Sequence, residues 1–426
     1  MFILVGIYFI EVFMMDKKLK IAVFHNLAAG GAIKALQDNL SIFKSKGHHV
    51  DVYTTDISNY SFASLKEFCD NYYIYPVKRS LIRKFFFKTV EKFTNYKFNE
   101  NSRVLIPYSY FKKTQNKIAE EIDAKSYDFV FFEQDFMFSY TPAFIENLKT
   151  LNIYYCAQPY RNNELILKKL DNSSGILKSY VDWRVRKFGK LDVKNAQHAD
   201  YILCNSYFTH ENILRSYGLN SKVSYLGINT NQFQAQNLPR KNIVLSVGSV
   251  TVNKGFEFII KSIAKVDEKI RPKFIIVGYK SDKILLNYLE SLATDLNVDL
   301  EVIQGIPYED LVKLYNEVKI VLFAPYLEPF GLVPLEAMAC GTPVIGVKEG
   351  GVKETVKHGE NGLLLDRDEF IFAEGISELL TNQELWNKFS DYGPKYIEEF
   401  WTLEKAGERL LSNIYRILDE EKIKNS

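Results

Sequence analysis

The stretch Ala324-Pro-Tyr-Leu-Glu328-Pro-Phe-Gly331-Leu-Val-Pro-Leu-Glu336-Ala-Met-Ala-Cys-Gly-Thr-Pro-Val-Ile345 decides how this 426-residue chain is read. An apolar run ends at Ala324, a loop carries Glu328, and Gly331 opens a helix that holds Glu336 in its second turn. The first N–H groups of a helix have no intrahelical partner, so those around Gly331 to Val333 can bind the oxygens of a phosphate or a sugar. Two carboxylates flank this helix end. They would repel a bare phosphate, but they can accept hydrogen bonds from sugar or ribose hydroxyls. A loop glutamate and an exposed helical glutamate without any ligand would give the same pair, so the pair alone does not decide.

Outward from this stretch, short apolar runs alternate with amphipathic stretches of helix length. On the C-terminal side of the chain the strands are Ile243 to Val247, Phe274 to Val277, Leu300 to Ile303, Ile320 to Phe323, Val344 to Val347 and Leu363 to Leu365. Helices start near Gly255, Asp282, Tyr308, Gly331, Gly351 and Asp368. An earlier series has strands at Ile21 to His25, Val50 to Thr54, Tyr72 to Tyr75, Phe129 to Glu133, Ile153 to Cys156 and Tyr201 to Asn205. Between the two lies Asn229 to Asn242, polar and with little that could enter a core, which reads as a linker. Alternating strands and helices predict two doubly wound α/β lobes facing a cleft, with ligands beyond the carboxyl ends of the strands.

Composition agrees with a large buried core: 47% of residues are apolar and 25% charged, which excludes a disordered or fibrous chain. The net charge of +2 hides an asymmetry. Residues 1–225 hold 31 Lys and Arg against 22 Asp and Glu, a net of +9, and the remainder carries −7. A basic half suits an anionic partner such as a membrane surface, a lipid phosphate or nucleic acid, unless the asymmetry is scatter. Cys69, Cys156, Cys204 and Cys340 lie far apart without metal-ligand spacing, so neither a disulfide framework nor a zinc site is expected, and a reducing cytoplasm fits. Met1 to Met15 is an apolar run too short to span a bilayer and lacks a basic n-region and a cleavage site. A start at Met14 or Met15 is the preferred reading, with a weak interfacial anchor as the alternative.

A second segment, Leu245-Ser-Val-Gly248-Ser249-Val-Thr-Val-Asn-Lys254-Gly255-Phe, is a strand, a polar loop and a helix start. A lysine just before that helix can neutralise a diphosphate whose oxygens also meet backbone N–H groups. Near the N-terminus, Ala28-Ala-Gly30-Gly31-Ala32 opens a helix after the first strand, where glycines allow close approach of backbone to ligand or simply make a turn. Tyr154-Tyr-Cys156-Ala-Gln158-Pro159-Tyr-Arg161 is a strand end with a polar turn. Asp366-Arg-Asp368 is a D-x-D triplet whose place at a strand exit favours a solvated turn over a metal site. No G-x-G-x-x-G, G-x-S-x-G or P-loop occurs, which argues against a dehydrogenase, a serine hydrolase and an NTPase. Residues 77–98 carry seven basic residues and one acidic one among many aromatics, with Ile82, Phe86, Val90 and Phe93 on one helical face and Lys84, Lys88 and Lys92 opposite. Such a helix either packs on its own lobe or lies in an anionic membrane interface.

Together, Pro-Phe-Gly-Leu, Glu-Ala-Met-Ala-Cys-Gly-Thr-Pro-Val-Ile, Gly-Gly-Val and Glu-Asn-Gly-Leu-Leu, with the Glu-(seven residues)-Glu spacing, resemble the retaining family 4 glycosyltransferases of GT-B fold. The resemblance runs from about Lys20 to Leu411 and is most specific over residues 243–366. It implies an acceptor-side lobe at 16–228, joined by a C-terminal helix at about 396–426, and a nucleotide-sugar-binding lobe at 229–395. It further implies transfer of a sugar, with retention, from a UDP- or GDP-sugar to a glycan or lipid-linked acceptor in envelope polysaccharide or glycolipid synthesis. Glu336 would then hold the ribose and Glu328 would sit by the donor sugar. Phe330, Gly331, Leu332 and Val333 would meet sugar and diphosphate, Lys254 the diphosphate, and Gly30 and Gly31 would close over it.

Ser249 stands where the family has arginine, and Ala157 and Gln158 stand where it often has His and Glu. The resemblance implies Glu328, Lys254 and Gln158 as the catalytic candidates in spite of these departures. They also keep two alternatives open: an inactive nucleotide-sugar-binding protein, and an epimerase or phosphorylase on a similar fold. No cofactor beyond the donor substrate, no metal and no nucleic acid are expected, and the location would be cytoplasmic or peripheral on the inner membrane face through residues 77–98.

Overall fold

The computed structural model describes residues 17–27, 30–57, 64–81, 106–135, 137–159, 175–278 and 283–426. The segment 1–16, Ala28 and Ala29, Arg161 and the larger part of the basic stretch 77–98 lie outside them. The chain divides into two units, one formed by 1–205, 209–224 and 409–426, the other by 206–208 and 225–408.

The first unit is built on a seven-stranded parallel sheet. Its strands are β1 (Lys20–Asn26), β2 (His49–Thr55), β3 (Asn71–Tyr75), β4 (Phe129–Asp135), β5 (Asn152–Cys156), β6 (Tyr201–Cys204) and β7 (Lys222–Val223), in the order β3-β2-β1-β4-β5-β6-β7. The runs Ile21 to Phe24 and Phe129 to Phe132 are buried on both faces, as strands at the centre of a parallel sheet must be. Helices α1 (Gly31–Ser45), α2 (Tyr108–Asp123), α3 (Gly175–Ala196) and α4 (Tyr207–Tyr217) connect the strands. α1 buries Ile33, Leu36, Leu40 and Phe43, whose spacing places them on one face.

The second unit repeats the design with β8 (Lys241–Val247), β9 (Lys273–Gly278), β10 (Leu300–Gln304), β11 (Val318–Phe323), β12 (Val344–Val347) and β13 (Gly362–Leu365), in the order β10-β9-β8-β11-β12-β13. Its helices are α5 (Phe256–Ala264), α6 (Lys283–Asp295), α7 (Tyr308–Glu317), α8 (Leu332–Ala339), α9 (Val352–Thr355), α10 (Glu369–Thr381) and α11 (Gln383–Phe400). Phe258, Ile259 and Ile263 of α5, Phe372 and Ile376 of α10, and Val244, Ile276 and Ile320 of the sheet share one core. The last helix, α12 (Leu403–Asn425), starts in the second unit and from Arg409 onward groups with the first. There Asn413 donates to the Val223 carbonyl at 3.1 Å and Lys222 pairs with Glu420 at 2.6 Å.

In both sheets the strand order reverses beside the first strand of the unit, between β1 and β4 and between β8 and β11. At such a reversal the two flanking connections leave in opposite directions and open a crevice at the carboxyl ends of the strands. The loops after β8 and β11 carry Lys254 and Glu328, so the topology of the second unit brings these two together.

One expected element changes character. Asn229 to Asn242 is an integral part of the second unit, not a linker. Phe233 is buried against the rings of Tyr308 and Tyr315, and the Gln236 N–H donates to Asn316 Oδ1 at 2.6 Å. Arg240 donates to the carbonyls of Tyr315, Val318, Cys340 and Gly341 and to the Thr342 hydroxyl, at 2.6 to 3.2 Å. A polar composition concealed one anchoring ring and one guanidinium that satisfies the ends of two helices.

Arg240→Lys keeps the charge but cannot reach five acceptors in a plane, and a carbonyl left dry costs about 1–3 kcal/mol. The expected result is a thermal midpoint lowered by several degrees, whereas Lys241→Arg at the exposed neighbouring position leaves it unchanged. Acid should also act on the first unit. Burial lowers the His25 imidazole to about 3 and that of His48 to about 4. Both are held neutral, with His48 Nδ1 accepting from the Leu19 N–H at 3.2 Å. The unfolded chain binds protons first, so this stability is complete above the ordinary histidine value and drains away as pH falls from about 6.5 toward 4. Midpoints measured over that window should fall, and His48→Gln should flatten the fall.

Candidate functional site

The carboxyl end of β11 is positioned by backbone packing. Gly255 has φ 70°, and a Cβ there would lie 2.2 Å from the Ala324 carbonyl oxygen, so only glycine lets the loop after β8 approach the loop after β11 this closely. The Tyr326 N–H donates to the Asn253 carbonyl at 2.8 Å and joins the same two loops. On the other side, the Gly351 N–H donates to the Glu328 carbonyl at 2.8 Å, and a Cβ on Gly351 would fall 2.0 Å from the Pro329 oxygen. Leu327, immediately before Glu328, adopts φ 51°, a left-handed conformation that a leucine holds only where its surroundings enforce it.

Arg367 closes this frame. Its guanidinium donates to the carbonyls of Ala324 at 2.9 Å and Pro325 at 3.0 Å, forks onto Glu349 with two bonds of 2.8 Å, and lies 3.8 Å from the Tyr326 ring centre. Planar, bidentate and stacked contacts of this kind are what arginine does and lysine cannot. In the same triplet Asp368 accepts from the Phe370 and Ile371 N–H groups at 2.8 and 3.0 Å and so caps α10. The D-x-D stretch therefore works as a cap and a clamp.

Within this frame Lys254 Nζ lies 2.9 Å from Glu328 Oε2, both half-buried, and the lysine stem runs alongside Gly248. Ser249 is half-buried in the same loop, its carbonyl accepting from the Thr251 hydroxyl at 3.2 Å. Gly331, with φ 91°, is the N-cap of α8, and a Cβ on it would stand 2.9 Å from the Phe323 ring. As a glycine the N-cap offers no capping side chain, and no acid occupies the first turn of α8. Leu332 and Val333 can present N–H groups there, and Pro334, third in the helix, has none to offer. Phe330 is buried, its ring beside those of Tyr225 and Trp401, so its side chain serves packing and only its backbone is left to meet a ligand. Glu336, a turn further on, accepts from the Tyr315 hydroxyl at 2.7 Å.

The second unit thus brings Ser249, Lys254, Glu328, Phe330, Gly331, Leu332, Val333 and Glu336 onto neighbouring loops and one helix. Gly30, Gly31 and Gln158 belong to the first unit, each following the carboxyl end of a strand. Gly30 has φ 143° and caps α1; at Gly31 a Cβ would meet no described atom within 4 Å. Gln158 is half-buried, and its carbonyl accepts from the Gln134 amide. Sequence reasoning missed Arg367, Glu349 and Tyr315. Arg367 stands inside a quoted triplet but was overshadowed by its two acids, and Tyr315 acts on a residue 21 positions away.

If Arg367 holds the loop that carries Glu328, Arg367→Lys should speed hydrogen exchange at the amides of Tyr326 to Phe330 about tenfold or more, the loss of roughly 1.4 kcal/mol of local stability. Exchange elsewhere in the sheet should not change. Unaltered exchange in this loop would remove Arg367 from the account.

Known proteins resemble this chain in sequence and in fold. Residues 228–396 match the family model of glycosyl transferases group 1. An uncharacterized glycosyltransferase of Methanocaldococcus jannaschii is 30% identical over 183 residues, 42% of this chain and 46% of that one. A D-inositol 3-phosphate glycosyltransferase of Corynebacterium jeikeium is 30% identical over 188 residues, 42% and 44% of the two chains. The chain thus spans about half the length of the curated relatives it matches. Among solved structures, an Anabaena protein in complex with UDP and glucose superposes over 93% of this chain and all of its own with a TM-score of 0.68, at 16% identity, which shows a shared fold. Residues 228–396 are thus similar to the glycosyl transferases group 1 family, and the chain that carries them has the GT-B fold.

Proposed function

We propose that this protein is a retaining glycosyltransferase of family 4 that moves a sugar from a UDP- or GDP-sugar to a glycan or lipid-linked acceptor. The observation that carries the reading is the 2.9 Å pair of Lys254 and Glu328 beside the glycine-capped N-terminus of α8, at the strand-order reversal of the second unit. One cation and a set of helix N–H groups suit a diphosphate. Two carboxylates eight residues apart suit the hydroxyls on either side of it. Relatives named as glycosyltransferases and a fold neighbour holding UDP and glucose support the same choice.

In this reading the bond from the anomeric carbon to the donor phosphate oxygen breaks while a bond to the acceptor oxygen forms on the same face. The acceptor proton passes to the departing phosphate. No covalent nucleophile is assigned, and the protein contributes by positioning and by stabilising charge as it gathers on the diphosphate. Lys254 and the Gly331 to Val333 backbone take that part. Glu328 orients the sugar, and Glu336 the ribose. With Ser249 in place of an arginine, Lys254 is the one cation assigned to the diphosphate, and its partner Glu328 must release it when the donor arrives. No metal is assigned a part. Envelope polysaccharide or glycolipid synthesis is the proposed setting. An anionic membrane surface reached through residues 77–98 is the proposed docking partner, to be tested by salt-sensitive sedimentation with anionic vesicles.

The experiment is a thermal-shift panel. UDP or GDP should stabilise the protein, by about 2.7 kcal/mol at a hundred times its dissociation constant, while NAD and ATP should not. Silence from every nucleoside diphosphate would refute the donor site. Glu336→Ala should weaken binding of the free nucleoside diphosphate, whereas Glu328→Ala should spare that affinity and lower turnover. Release of nucleoside diphosphate only in the presence of an acceptor separates a transferase from a mere binding protein or an epimerase.

A further inference from the structure

Glu336 does not stand alone. Tyr315, near the end of α7, is fully buried, and its hydroxyl donates to Glu336 Oε2 at 2.7 Å. The tyrosine is fixed at both ends. Its carbonyl accepts from Arg240 Nη1 at 2.8 Å and from the Thr342 hydroxyl, and its ring lies edge-on to Phe233 with centroids 6.0 Å apart. Burial and the neighbouring Glu336 charge push the phenol well above its ordinary value, so it keeps its proton at neutral pH.

We propose that Tyr315 is a positioning residue for ribose recognition, presenting the Glu336 carboxylate in one orientation through its buried hydroxyl. This inference rests on the reading of Glu336 as the ribose-binding carboxylate. A glutamate side chain has three rotatable bonds, and a half-exposed one samples several rotamers. Two vicinal ribose hydroxyls need acceptor oxygens in a fixed plane at a fixed distance. A hydrogen bond from a rigid, dry donor to one carboxylate oxygen sets that plane before the ligand arrives, and a carboxylate has acceptor capacity beyond one such bond. Phe233, Arg240 and Thr342 hold the tyrosine in turn, which gives the polar stretch 229–242 a consequence at the site.

The test uses the full chain and calorimetric titration with UDP and GDP and with their 2′,3′-dideoxy counterparts. The wild type, Tyr315→Phe, Glu336→Ala and the double variant are compared. Tyr315→Phe keeps the ring and its packing. It should weaken the ribonucleotide that binds the wild type by about three- to tenfold, the scale of one oriented hydrogen bond, and leave affinity for the dideoxy form unchanged. The effect should vanish in the Glu336→Ala background, because the tyrosine acts through that carboxylate. Equal weakening of ribo and dideoxy forms, or no weakening of the ribo form, would overturn the proposal and leave Tyr315 as a packing residue. If Glu336→Ala keeps the wild-type preference for ribo over dideoxy, or if neither ribonucleotide binds the wild type, the ribose reading itself fails and the inference falls with it.

Discussion

Everything at the candidate site depends on how closely three backbone segments approach one another at the end of β11. A Cβ at Gly255 would sit 2.2 Å from the Ala324 oxygen, and one at Gly351 would sit 2.0 Å from the Pro329 oxygen. No side chain fits in either place. The loop that carries Glu328 is thus gripped from both sides by main chain, and Arg367 adds four hydrogen bonds and a stacked ring across the top. Backbone packed against backbone cannot relax by changing rotamer. A left-handed Leu327 can persist there, and Glu328 is delivered to Lys254 within hydrogen-bond distance.

This frame explains a division of labour among the residues of the site. Those that fix geometry are mostly buried or glycine, Gly255, Gly331, Gly351, Phe330 and, further out, Tyr315, while Arg240 is half-buried with its donors committed to five acceptors. Those that can exchange partners are half-exposed: Lys254, Glu328 and Glu336. The Lys254 to Glu328 pair belongs to the second group. At its depth the two charges are partly solvated, so opening the pair for an incoming diphosphate costs little compared with breaking a dry ion pair. Preorganisation thus resides in the backbone and the second layer, and the adaptable charges sit on top of it.

The α/β architecture was legible because its signals are local. Runs such as Phe129 to Phe132 and Ile320 to Phe323 are continuous β-rich apolar segments, and a strand buried on both faces has no other pattern. β7 escaped notice since two residues, Lys222 and Val223, carry no period. The segment 229–242 was read as a linker because its composition is polar, and what seats it, Phe233 in an aromatic pocket and Arg240 across five acceptors, depends on residues 75 to 102 positions away. The same limit applies to the site. Glu328, Gly331 and Glu336 share one stretch and could be read together, and Lys254 is recognisable beside its own helix. Arg367 and Tyr315 act on that stretch from other elements, and only the packed structure joins them to it.

On the proposed reading the second unit holds a nucleoside diphosphate at the end of β11, with its phosphates on the α8 N-terminus. A crystal structure of the protein grown with UDP or GDP tests it most directly. The account predicts diphosphate oxygens within hydrogen-bond distance of the Leu332 and Val333 N–H groups, Lys254 moved from Glu328 onto the diphosphate, and the ribose hydroxyls on Glu336. A nucleotide bound elsewhere on the unit, or a diphosphate that leaves the Lys254 to Glu328 pair closed and the α8 N–H groups untouched, would contradict it.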